Sequence, residues 1–96
     1  MTDLYPLEGI PALCATDNQR DPLVMALYTH PSGWRWYVTE YDGVRVLFGL
    51  VAGCATELGY FDRLELDAAG ARLELGWEAA PLSAVLHWLT HPEDEP

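Results

Sequence analysis

The chain has 96 residues, half of them hydrophobic, with four Trp, five Tyr and two Phe. That is enough for one folded domain over residues 1–96 and too apolar for intrinsic disorder. Fifteen acids against five arginines, with no lysine, give a formal charge of −10, which argues against direct binding to nucleic acid or anionic membranes and favours basic partners.

The same charge serves solubility. Cys14 and Cys54 lie far apart, and the longest apolar run, Val46 to Ala52, is short and contains Gly49. No leader peptide or membrane span is expected, and a reducing cytoplasm with two free, buried thiols is.

Residues 1–22 are broken by Pro6, Gly9, Pro11 and Pro22, so an irregular arm is expected, packed onto the domain through Leu4, Tyr5, Leu7, Ile10 and Leu13. Leu23 to Thr29 reads as a strand, followed by a turn at His30-Pro31-Ser32-Gly33. Trp34 to Tyr41 and Val44 to Val51 flank Asp42-Gly43, the pair that favours a two-residue type I′ hairpin turn. That turn sets Tyr41 opposite Val44, Thr39 opposite Val46, Glu40 opposite Arg45 and Trp36 opposite Gly49. Both faces of the hairpin are then largely apolar, and each needs a cover: helices on one, and on the other the arm, a second subunit or a partner.

Thr56 to Phe61 reads as a third strand. Asp62 with Glu65 suits the start of a short helix and Gly70 its end, although Arg63 to Leu75 also alternates well enough for a hairpin about Ala69-Gly70. Arg72 to Glu78 alternates, with Leu73, Leu75 and Trp77 inward. Pro81 suits the first turn of a final helix, whose apolar stripe is Leu82, Val85, Leu86 and Leu89. Residues 92–96 form an acidic tail expected to fray. The expected class is α+β: an antiparallel meander of about four strands around a 34–51 hairpin, with one or two short helices on one face.

No catalytic, cofactor or metal site is expected. His87 and His91 are four apart, but the stripe points elsewhere and no HExxH surrounds them; a third ligand would have to come from Glu93 to Glu95 or from afar. His30, Ser32 and Ser83 lack a nucleophile elbow. Glu57, mid-strand beside Leu58, is the modest candidate for a carboxylate with a catalytic pKa. Trp34, Trp36, Tyr37 and Tyr41 could stack bases, yet the basic surroundings of an RNA-binding sheet are missing.

The acids support a sharper idea. Strand residues i and i+2 lie about 6.5–7 Å apart, close to two rises of a DNA strand at about 3.4 Å each. Glu74 and Glu78, with Glu65 and Asp67 of the helix, can imitate a phosphate track. Glu57, Asp62, Glu65, Asp67, Glu74, Glu78, Trp34 and Trp36 are therefore the candidate partner-binding residues.

Several motifs resemble a family of small bacterial proteins of unknown function carried on plasmids and prophages. They are Ala15-Thr16-Asp17-Asn18-Gln19 with Asp21-Pro22, Trp36-Tyr37-Val38-Thr39-Glu40-Tyr41-Asp42-Gly43, Phe48-Gly49-Leu50-Val51, Glu57-Leu58-Gly59-Tyr60-Phe61 and Pro81-Leu82-Ser83. Such proteins usually continue Ser-Leu-x-Glu-Leu where this chain has Asp62-Arg63-Leu64-Glu65-Leu66, which favours the helix there. The resemblance implies a mobile-element setting and no catalytic residues. By analogy, it suggests an anti-CRISPR-like inhibitor or DNA mimic that meets the basic, nucleic-acid-binding surface of a defence complex as a monomer or homodimer. The alternatives are an accessory module acting through an aromatic sheet face or as a homodimer, and a small metal-dependent hydrolase built on His87 and His91.

Overall fold

The computed structural model describes residues 7–96. The elements run β1 (Leu23–Val24), β2 (Ala26–Thr29), β3 (Arg35–Tyr41), β4 (Val46–Ala52), β5 (Thr56–Asp62), α1 (Arg63–Ala68), β6 (Arg72–Leu73), β7 (Ala80–Pro81) and α2 (Leu82–Thr90). Five strands form an antiparallel sheet in the order β5-β4-β3-β2-β6, and β1 pairs with β7 in a separate two-stranded sheet. The class is α+β. The expected strand over Leu23 to Thr29 is divided at Met25, whose N–H reaches Val38 O at 2.7 Å.

The hairpin is present, but its register is not the one a two-residue turn would impose. Tyr41 pairs with Leu47 and Glu40 with Phe48; beyond a bulge at Thr39, Val38 pairs with Gly49 and Trp36 with Val51. The physical reason is Asp42. Its Oδ1 accepts the backbone N–H groups of Val44, Arg45 and Val46 at 2.7, 2.8 and 3.0 Å, which opens the turn to Asp42–Arg45. Gly43 keeps the expected positive φ of 87°. The Glu40–Arg45 pair is therefore lost: Arg45 binds Asp62, with Nε 2.7 Å from Oδ2. Gly49 lies under the Tyr37 carbonyl, while the ring that covers a glycine is Trp34, over Gly53.

Each face of the five-stranded sheet has its own core. Ala26, Tyr28, Val38, Tyr41 and Leu47 face Leu7, Leu66 of α1 and Ala71, joined by Ile10 and Phe61. Leu27, Tyr37 and Leu50 face Val24 and Val85, joined by Trp77, Leu82, Trp88 and Leu89. The two helices thus cover opposite faces, not one, and the arm supplies part of the cover through Leu7 and Ile10. The Thr39 bulge makes this possible, because it brings Val38 and Tyr41 to the same face despite their odd spacing. The Leu4 and Tyr5 contacts expected of the arm lie outside the described residues.

α1 forms as the capping signal requires. Asp62 accepts the Leu64 N–H at 2.8 Å, and Gly70 at φ 91° ends the helix while Ala71 N–H returns to Leu66 O. The rival hairpin about Ala69-Gly70 does not form. After β6, Glu74 N–H still binds Leu27 O at 2.8 Å, but regular pairing stops there. Leu75, expected inward, is 79% exposed. On α2, Leu86 faces solvent and Trp88 packs inward in its place. The tail forms a 3-10 turn over Pro92–Asp94, and Glu95 binds Arg35 at 3.1 Å.

Candidate interaction surface

The expected acidic residues divide between the two edges of the sheet. Glu57 and Asp62 belong to β5, whereas Glu74 and Glu78 follow β6 at the other edge. Four strand spacings separate those edges, roughly 19 Å, so the carboxylates do not line up in one row. Glu65 and Asp67 are exposed on α1, and Glu57 is exposed opposite Val51. Asp62 is held in place twice, as the cap of α1 and as the partner of Arg45. The bond from Arg45, offset in part by burial and helped by the Leu64 N–H, keeps its carboxyl below the usual value.

Trp34 and Trp36 also separate in role. Their ring centroids are 6.0 Å apart, but Trp36 packs against the core around Val38 while Trp34 is 38% exposed. Tyr37 and Tyr41 are buried and offer no face for stacking a base.

Some acids that the sequence presents as surface charge are structural. Glu40 is 1% exposed. Its carboxylate accepts the backbone N–H of Cys14 at 2.8 Å and of Thr16 at 3.0 Å, together with the Thr16 hydroxyl. Burial pushes its pKa up, but these three donors outweigh burial and hold it below the usual value. Asp21 accepts the Ser83 hydroxyl at 2.6 Å and the Ser83 N–H at 2.8 Å, tying the arm to the start of α2. Cys14 takes the left-handed conformation, φ 68°, as it delivers its N–H to Glu40. Both thiols are free, and both are exposed, contrary to the burial expected of them.

The structure does bring Glu74 and Glu78 together, with Glu95 of the tail. They rim a groove of about 400 Å³ whose walls include Leu27, Trp77 and Trp88. The two indoles meet edge to face with centroids 6.4 Å apart, and Trp77 Nε1 donates to Val24 O at 2.9 Å, which fixes the ring. Glu74 accepts the Thr29 hydroxyl at 2.7 Å. Trp88 and Glu95 were not among the expected site residues, because helix periodicity assigns the inward stripe to Leu86 and the tail reads as frayed. The usable signal was the pair Glu74 and Glu78 on either side of Trp77.

His87 and His91 stack with ring centroids 4.3 Å apart, and His87 Nε2 lies 2.7 Å from Asp94 Oδ2. Among the described residues no three His, Cys, Asp or Glu side chains converge as a metal site. His30 bridges the β2–β3 turn to the end of α1: Nδ1 meets Ser32 Oγ at 2.7 Å and Nε2 donates to Ala69 O at 2.9 Å. No helix among the described residues is long and apolar enough to cross a membrane.

The fold and this surface define an α+β protein in which, among the described residues, an acid-rimmed, tryptophan-walled groove stands apart from the structural carboxylates. No protein-family model, curated protein or solved structure matches the chain.

Proposed function

We propose that this chain is a non-enzymatic acidic binding protein from a mobile element, acting as an anti-CRISPR-like inhibitor of a nucleic-acid-handling defence complex. The observation that carries this reading is the groove between Trp77 and Trp88, rimmed by Glu74, Glu78 and Glu95. Indole faces attract cations, and carboxylates beside them add charge-assisted hydrogen bonds. Such a groove suits an arginine or lysine side chain projecting from a surface built to hold nucleic acid. Among the described residues, Arg35 is engaged by Glu95, Arg45 by Asp62 and Arg63 by Tyr41 Oη and Val44 O. The surface offered to a partner is thus more one-sidedly acidic than composition alone states. Mimicry on this reading is local, one seat for a basic side chain, since the acids divide between two edges.

The test is competition for DNA on a purified CRISPR surveillance complex. Wild-type protein should displace the DNA target, the effect should weaken steeply with added salt, and Glu74→Arg with Glu78→Arg should abolish it. Undiminished DNA binding at low salt and excess protein would remove the defence reading. Displacement that ignores both salt and the double variant would remove the groove as its cause.

A further inference from the structure

β5 is the outermost strand of the sheet and, among the described residues, pairs only with β4. Its hydrogen-bonding parity follows from one contact. Arg63 N–H donates to Arg45 O at 2.9 Å, and that pair continues the register in which Asp62 faces Val46 and Phe61 faces Leu47. In an antiparallel ladder, hydrogen-bonded and non-bonded pairs alternate. Glu57, Gly59 and Phe61 therefore direct their main-chain groups at β4, while Thr56, Leu58 and Tyr60 direct theirs outward.

Open edges are normally blunted by proline, charged side chains, a bulge or shortness. β5 carries two acids, Glu57 and Asp62, the latter bound to Arg45, but no lysine or proline: it is seven residues long, Thr-Glu-Leu-Gly-Tyr-Phe-Asp, and its register with β4 is unbroken. The opposite edge, β6, is two residues long. Leu58 and Tyr60 are 56% and 62% exposed on the face they share with Phe48, whose ring lies 4.8 Å from that of Tyr60.

We infer that β5 pairs antiparallel with β5 of a second copy of this chain, about a two-fold axis at Gly59, joining the two sheets into one. The sequence is self-complementary in that register. Leu58 meets Tyr60 of the second copy, giving two aliphatic–aromatic pairs and using the outward main-chain groups of both residues. Glu57 meets Phe61 and Thr56 meets Asp62, so no acid faces an acid. A two-fold centred on Glu57 or on Asp62 would oppose like charges, which destabilises a ladder, and any centre other than Gly59 leaves part of the strand unpaired. Gly59 then faces its own copy in a non-hydrogen-bonded pair, with Cα atoms about 4.5 Å apart. A Cβ placed on Gly59 meets nothing within 4 Å. Each chain carries −10, so added salt screens the repulsion between copies and strengthens this dimer, the reverse of its effect on a basic partner.

The experiment is cross-linking by Gly59→Cys in a Cys14→Ser, Cys54→Ser background, with oxidised glutathione taking the two electrons as the disulfide forms. The expected Cα spacing lies within the disulfide range, so covalent dimer should accumulate. Leu58→Cys, which faces Tyr60 and not itself, should cross-link at least tenfold more slowly. Sedimentation of the wild-type chain should show a dimer that tightens with salt, and Tyr60→Pro, which removes an outward N–H, should give a monomer. Leu58→Lys changes only an exposed side chain and should also give a monomer, with an unchanged circular dichroism spectrum as the check on folding. Monomeric wild-type protein at high concentration and high salt overturns the inference. So does a dimer that survives Leu58→Lys and fails to cross-link at Gly59, since it must use another surface.

Discussion

The carboxylate of Glu40 receives both the backbone N–H and the hydroxyl of Thr16. This contact fastens the arm to the C-terminal end of β3, beside the point where the Thr39 bulge interrupts the ladder. Glu40→Ala leaves the Thr16 and Cys14 N–H groups facing an empty site. The expected loss is about 3 kcal/mol, since buried donors are left without their charged acceptor. Urea unfolding followed by tryptophan fluorescence measures it, and a loss near zero would show that water replaces the carboxylate.

Acid sensitivity follows from the same group and from two others. Glu40, Asp42 and Asp62 all have carboxyls held below their ordinary values. For Asp42 the main cause is the Val44 N–H, and for Asp62 it is the bond from Arg45. A depressed carboxyl contributes stability that is complete above its unfolded pKa and is lost as the pH falls through its folded one. Stability should therefore hold down to about pH 4.5, the ordinary value of Glu40, and decline below it. Glu40→Gln should flatten that decline in urea midpoints measured across the acid range.

Two glycines on neighbouring strands should respond in opposite directions. A Cβ on Gly49 falls 1.8 Å from the Tyr37 carbonyl oxygen, a backbone atom pinned by the ladder. Gly49→Ala should cost about 3 kcal/mol, as overpacking against backbone does. Gly59→Ala meets open space and should stabilise by about 0.5 kcal/mol by reducing unfolded-state freedom. Thermal melts of the two variants make the comparison.

On α2 the contrast lies between Leu86, which faces solvent, and Trp88, which packs beside Trp77 and Val85. Leu86→Ser should stay within about 0.5 kcal/mol of the parent. Trp88→Ala should cost about 3 kcal/mol, the low end for a large ring because it is only partly covered. Chemical denaturation distinguishes them, and the reverse order would restore the stripe expected from periodicity.

That stripe shows where the sequence was informative. Period and punctuation located the hairpin, β5, α1 with its Asp62 cap and α2, because each depends on residues close in the chain. What they missed depends on contacts made at a distance. The register of β3 on β4 turns on one Asp42 oxygen gathering three N–H groups, which Asp42-Gly43 as a dipeptide does not reveal. Glu40 reads as a strand-surface acid until the arm is seen lying across it. The groove was half visible, as Glu74 and Glu78 around Trp77; Trp88 and Glu95 reach it only through the packing of α2 and the tail.

The break at Met25 has a consequence for how the molecule is assembled. Leu23 and Val24 find their partners in Pro81 and Ala80, and Tyr28 and Thr29 find theirs in Leu73 and Arg72. The segment that opens the sheets is thus closed by strands that lie about 45 to 60 residues further along the chain. A nascent chain that has made only β2 to β5 holds a sheet with one flank bare and with Val24 and Leu27 uncovered. The hairpins β2–β3, β3–β4 and β4–β5 join neighbours in sequence, so the distant pairings of β1 and β2 are the ones that carry the higher loop-closure cost.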